Sequence, residues 1–102
     1  MAKVKPFKST DIGDGYTFVC PGCRGHHMIP VPRWTFNGDL NCPTFTPSIN
    51  QIENPPDDKY YQPDMPTEIC HFTITEGKIQ FHADCTHDLK GKTIPLPDYE
   101  DR

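Results

Sequence analysis

Four of the five cysteines in this chain sit in short cysteine–histidine clusters: Cys20-Pro-Gly-Cys23 followed by His26-His27, then Cys70-His71, then Cys85-Thr-His87. That clustering constrains the fold because little else is available to stabilise one. The 102 residues are one domain in length, and Leu, Ile, Val and Phe make up only about a fifth of them, near the composition at which a core becomes hard to build. A net charge of −4 is too small to keep the chain unfolded by repulsion, and 12 Pro with 7 Gly fall short of low complexity. Such a chain folds, but burial alone leaves it marginal. Thiolates and imidazoles gathered on a metal ion are the means at hand to make up the difference.

The same reading excludes several classes. No apolar run approaches the roughly 18–20 residues of a membrane span. The first residues are basic but lack an apolar stretch behind them, which predicts no secretory leader and a reducing, cytoplasmic location. In that compartment clustered cysteines bind metal more often than they pair. A sequence pI near 5.6 argues against a nucleic-acid surface, with Lys3, Lys5 and Lys8 the one small basic arm.

Residues 1–102 read as a single domain, with 1–13 a tail or an edge strand. Between Tyr16 and Val31 two β-rich runs flank the Cys-Pro-Gly-Cys turn. Asn37-Gly38 suits a type I′ hairpin turn, and Pro43 to Ile49, PTFTPSI, reads as a proline-broken edge strand. Residues 51–68 hold four prolines and five acids against one lysine, the composition of a long loop. No ordinary helix is evident; Thr86 to Lys90 reads as a single turn closed by Gly91.

The stretch Ile69 to His87 is the most explicit. Two alternating runs meet at Glu76-Gly77, and counting outward pairs Thr75 with Lys78, Ile74 with Ile79, Thr73 with Gln80, Phe72 with Phe81 and His71 with His82. Alternation then puts Cys70, Phe72, Ile74, Ile79, Phe81, Ala83 and Cys85 on one face. A one-residue slip would bury lysine and glutamine instead.

This register carries the metal assignment. Cys70 and Cys85 are diagonal neighbours about 7–8 Å apart, a gap two thiolates on one ion can span. Cys20, Cys23, Cys70 and Cys85 are therefore the leading Zn2+ ligands. His87, two residues past Cys85, is the main imidazole rival, with His71, His26 and His27 as others. Cys42 has no partner in this scheme.

On the opposite face His71 faces His82 with Asp84 diagonal, a set suited to a second, open metal or to acid–base chemistry. A solvated polar sheet face is the simpler reading. No nucleophile motif accompanies it: G-x-S-x-G and H-E-x-x-H are absent, and Lys90-Gly91-Lys92-Thr93 lacks the earlier glycine of a phosphate loop. No catalytic residue is therefore assigned. The aromatics at alternate strand positions read as core. Tyr60-Tyr61, in the acidic loop, suits a protein contact.

The motifs Cys20-Pro-Gly-Cys23 with Gly25-His26-His27, Trp34-Thr35-Phe36-Asn37-Gly38, Pro43 to Ile49, Cys70-His71-Phe72 and Asp84-Cys85-Thr86-His87 together resemble a family of small phage- and prophage-encoded proteins of unknown function. Some of its members carry an ammonia monooxygenase name. The resemblance spans roughly residues 16–98 and implies a metal-binding accessory protein in a bacterial cytoplasm. The expectation is thus a mostly β, zinc-ribbon-like domain of antiparallel hairpins clamped by one metal ion, contacting a host or phage protein. Two alternatives stand beside it: a metal-dependent hydrolase using His71, His82, Asp84 and His87, and a nucleic-acid-binding zinc module.

Overall fold

A computed structural model describes residues 2–11, 13–31 and 33–99 of the chain. Every regular element in it is a strand, as the alternating patterns predict: β1 (Val4–Phe7), β2 (Gly15–Cys20), β3 (Gly25–Pro30), β4 (Thr35–Phe36), β5 (Phe45–Glu53), β6 (Glu68–Thr75), β7 (Lys78–Phe81) and β8 (Thr93–Pro95). They form two antiparallel sheets, one ordered β1-β2-β3 and the other β4-β5-β6-β7-β8. No helix among the described residues is long and apolar enough to cross a membrane.

The β6–β7 hairpin has the register read from the sequence, from Thr75↔Lys78 to Phe72↔Phe81. Glu76 and Gly77 turn it with φ of 49° and 77°, the paired left-handed residues of a type I′ turn. The inward face is buried as expected, with Phe72, Ile74, Ile79 and Phe81 at most 1% exposed. These side chains meet Val4, Phe18 and Ile29 of the first sheet in one core, where Phe18 and Phe72 pack edge to face at 5.4 Å. The apolar residues are few, but they are gathered on two facing surfaces, and that concentration is what lets a polar chain exclude water.

Elsewhere the structure departs from the sequence reading. The tail-or-edge-strand segment contains a true edge strand: β1 pairs with β2, and Val4 is buried. Two of its lysines are engaged, Lys3 with Asp98 at 2.7 Å and Lys5 over the Tyr99 ring. Asn37-Gly38 does not close a two-residue hairpin. The Asn37 side chain donates to the Cys42 carbonyl and accepts from Asp39 N–H, organising an eight-residue loop between β4 and β5. A side chain that bonds its own loop competes with the tight turn. β5 is not simply an edge strand, since β4 covers its first two residues. Strand structure extends into the expected 51–68 loop at both ends, leaving residues 54–67 irregular. Asn54 ties that loop together, donating to the Gln62 and Met65 carbonyls and accepting from Gln62 N–H. Beyond β7 the segment from Thr86 to Gly91 is a run of bends and turns, with Gly91 at φ 76°.

Glu76 is a long side chain held in a region that suits glycine or asparagine. Replacing it by asparagine, which gives the favoured Asn-Gly pair, should stabilise the protein by about 0.5–1 kcal/mol. Ile79→Val, which removes one buried methyl group, should destabilise by about 0.5–1.5 kcal/mol. Urea denaturation with an unchanged m-value checks both.

Candidate active site

β5 and β6 are not in simple register. Phe45 pairs with Ile74 but Ile49 pairs with Phe72, so Thr46, Pro47 and Ser48 together oppose Thr73. A bulge of this kind re-aims the side chains within it. Here it leaves Ser48 exposed with its Oγ 3.4 Å from His71 Nε2 on the neighbouring strand. The Ser48 carbonyl accepts a hydrogen bond from Trp34 Nε1 at 3.3 Å. On its other side the His71 ring meets Asp84, with Nδ1 3.1 Å from both carboxylate oxygens.

This contact decides the tautomer. A carboxylate only accepts, so Nδ1 carries the proton and donates it to Asp84, and Nε2 keeps a lone pair directed at the Ser48 hydroxyl. Hydroxyl, imidazole and carboxylate stand in line. The 3.4 Å separation falls among the looser contacts typical of such a pair without substrate. His82 packs beside the base, its ring centroid 4.3 Å from that of His71 and its Nε2 2.9 Å from Thr73 Oγ1. Asp84 and Ser48 are both open to solvent.

The acid–base potential of His71 and Asp84 was legible from the hairpin register; Ser48 was not. Its one signal, a serine after the proline of a broken strand, is too common to single out. The alternative of an open metal on this face gains no support: His71, His82 and Asp84 belong to neither of the two metal-competent groups among the described residues, and both His71 nitrogens and His82 Nε2 contact Asp84, Ser48 and Thr73.

Those two groups lie on the other side of β6. The β2–β3 turn brings Cys20 and Cys23 to Cys70, where they are joined by His27; the four ligand atoms all lie within 4.8 Å of one another. Cys20 and Cys70 Sγ are 3.8 Å apart, the edge of a tetrahedron built on bonds of about 2.3 Å. His27 Nε2 is buried with no hydrogen-bond partner, which a metal ion would supply. Cys70, Cys85 and His87 form the second, overlapping group, with His87 Nε2 3.5 Å from Cys70 Sγ. The His87 ring lies against Gly22, where any side chain would run into it. These Cys/His groups are close enough to bind a metal ion.

The thiols also call for a cation electrostatically. A hydrogen bond from Cys70, helped by His27 and opposed by burial, brings Cys20 down to about 4. Cys23 is pushed up to about 11 by burial and by the Cys20 charge. Cys70 is raised further still, by its hydrogen bond to the Cys20 thiolate and then by burial. One thiolate is tolerated and the next two are opposed until a positive ion balances them. Cys85 differs: burial raises its pKa, and its thiol contacts the His71 backbone, taking the amide at 3.2 Å and donating to the carbonyl at 3.1 Å. Cys42 is exposed and in neither group.

A serine, a histidine and a carboxylate in this relation are the groups that nucleophilic hydrolase sites combine. Residues 3–82 match the model of a family described as bacterial ubiquitination-like system serine protease (BubE), and the chain belongs to this family. The match contains Ser48 and His71 and ends two residues before Asp84. No curated protein and no solved structure matches the chain. The expectation of a phage or prophage zinc accessory protein that only contacts a partner is therefore corrected: the family is one of bacterial serine proteases.

The metal-competent geometry predicts selective protection of thiols. Brief alkylation of chelator-treated protein should modify both Cys23 and Cys42. Added Zn2+ should then protect Cys23 and leave Cys42 reactive, as read by mass spectrometry.

Proposed function

We propose that this protein is a serine protease acting in a bacterial ubiquitination-like system, with Ser48 as nucleophile, His71 as general base and Asp84 as the group that orients it. The observation that carries the reading is the continuous contact from Ser48 Oγ through the two His71 nitrogens to the Asp84 carboxylate. Family membership supports it independently. In the first step Ser48 Oγ attacks the substrate carbonyl carbon while its proton passes to His71 Nε2. His71 hands that proton to the departing amine as the C–N bond breaks. Water then hydrolyses the acyl ester by the same proton path in reverse. Asp84 stays ionised and stabilises the imidazolium at each stage. Along the chain the order is Ser, His, Asp, unlike the chymotrypsin, subtilisin and α/β-hydrolase orders, so the arrangement is recognised by geometry alone.

The substrate class we propose is the C-terminal tail of a ubiquitin-like protein, cut at the peptide or isopeptide bond that follows it. The family description and the open setting of Ser48 support this, because an exposed nucleophile accepts a protein tail without an enclosing pocket. The loop at residues 54–67 is the surface we propose for the body of such a partner. It presents Tyr60 and Met65, 75% and 53% exposed, on a frame stiffened by Asn54.

The metal ion we propose is zinc, held by Cys20, Cys23, Cys70 and one imidazole, with a structural role. Thiolate-rich tetrahedral donor sets favour it. His27 is the fourth ligand in this reading, because its Nε2 lacks any other partner. His87 Nδ1 accepts the Leu89 amide hydrogen, so its Nε2 carries a proton and donates to the Cys70 thiolate. Five free thiols and an ion bound by cysteines suit the reducing bacterial cytoplasm.

A fluorophosphonate probe should label the wild-type protein at Ser48. Ser48→Ala should abolish labelling and lower kcat on a cleavable substrate by about 10³-fold or more while leaving the melting temperature unchanged. Labelling at another residue would overturn the assignment. Elemental analysis should find one zinc per chain, lost in Cys23→Ser and His27→Ala and retained in His87→Ala. Removal of zinc should melt the fold, since structural zinc contributes about 10–16 kcal/mol against a typical net stability of about 5–15 kcal/mol.

A further inference from the structure

β7 ends at Phe81, three residues before Asp84, so no strand pairing holds that carboxylate against His71. Side chains take over from the ladder. His82 N–H donates to the His71 carbonyl at 2.9 Å and Thr86 N–H to the Ile69 carbonyl at 2.9 Å, continuing the antiparallel pattern through the backbone. The His71 amide donates to Cys85 Sγ at 3.2 Å, and Cys85 S–H returns a bond to the His71 carbonyl at 3.1 Å. One turn further out, the Ile69 amide donates to Thr86 Oγ1 at 3.0 Å.

We infer that Cys85 is a positioning residue for the catalytic pair, clamping the backbone of His71 so that its ring stays between Ser48 and Asp84, with Thr86 holding the outer end of the same segment. The inference rests on the triad reading above. Three features carry it. Cys85 follows Asp84 directly, so fixing its side chain on β6 fixes where the carboxylate starts. Its thiol touches both polar backbone groups of the histidine itself, one donor and one acceptor, and so limits movement of that residue in either direction. At 4% exposure it is shielded from water that would compete for those bonds. Its contacts with the His71 backbone set this role apart from the alternative in which Cys85 joins Cys70 and His87 around an ion. Asp84 is 54% exposed in its side chain and has no enclosing wall to keep it in place. A backbone clamp is the device that an open triad of this kind needs.

The test compares Cys85→Ala and Cys85→Ser as zinc-loaded proteins, with p-nitrophenyl acetate as the probe ester. Serine keeps a donor and an acceptor at the same position and alanine removes both. Cys85→Ala should lower kcat by about 10–100-fold with KM nearly unchanged, zinc should remain at one per chain, and Cys85→Ser should recover most of the rate. The downfield proton resonance of His71 Nδ1–H bound to Asp84 should vanish in Cys85→Ala and return in Cys85→Ser, a readout that needs no hydrolytic activity. If the wild-type protein keeps that resonance but does not turn over ester, the protease reading fails while the clamp still stands. Thr86→Val, which removes the outer hydroxyl at nearly constant shape, should broaden the same resonance even where Cys85→Ala is too unstable to purify. Loss of zinc in Cys85→Ala at normal folding would make Cys85 a ligand and overturn the proposal. A kcat within twofold of wild type, or an unperturbed resonance in both Cys85→Ala and Thr86→Val, would do the same.

Discussion

Because neighbouring side chains on a strand point to opposite faces, β6 sends Cys70 into the interior and His71 to the surface one residue apart. Both sites of the protein hang on that alternation. Inward, Cys70 meets Cys20 and Cys23 from the first sheet; outward, His71 meets Ser48 and Asp84 from the second. The pattern repeats across the hairpin, where Asp84 faces out and Cys85 faces in. A change in β6 register by one residue would exchange the two faces and destroy both sites together.

The inner site also explains how so polar a chain maintains two sheets. The described strands contact only their hydrogen-bonded neighbours closely through the backbone, so across the two sheets the strands meet through side chains, and backbone bonds such as Lys3 N–H to the Leu40 carbonyl and Tyr99 N–H to the Ala2 carbonyl come from the segments that flank them. Phe18, Phe72 and the other core residues make one such joint, and the thiols at the β2–β3 turn make the other. The second joint is electrostatically incomplete without a cation, since burial and mutual repulsion oppose a second and third thiolate. An ion held there would tie the turn to β6 next to His71, one peptide bond from Cys70.

The β6–β7 register was legible because its evidence is local and redundant: two apolar pairs, a turn that tolerates positive φ, and polar residues at every alternate position. The cysteine clustering was legible as well. The choice among imidazoles was not, because it depends on how His27 leaves β3 and how the turns after β7 bring His87 across Gly22. Ser48 escaped for a related reason. Its reach to His71 depends on a bulge of three residues against one, and nothing in Pro43 to Ile49 specifies where a strand will absorb extra residues. Asn37-Gly38 misled in the opposite sense, since the asparagine side chain serves a longer loop in place of the tight turn its dipeptide favours.

By itself, then, the amino-acid order determined strand character, the buried face of one hairpin and the presence of thiols suited to a soft metal ion. These follow from periodicity and side-chain chemistry, which act between residues near in the chain. Tertiary structure decided which serine stands against His71, which nitrogen of that ring faces it, and which cysteine bonds the histidine's backbone. Those depend on distances of about 3 Å between segments brought together by packing across sheets, and hydrogen bonding is steep enough at that range that no local pattern could specify them.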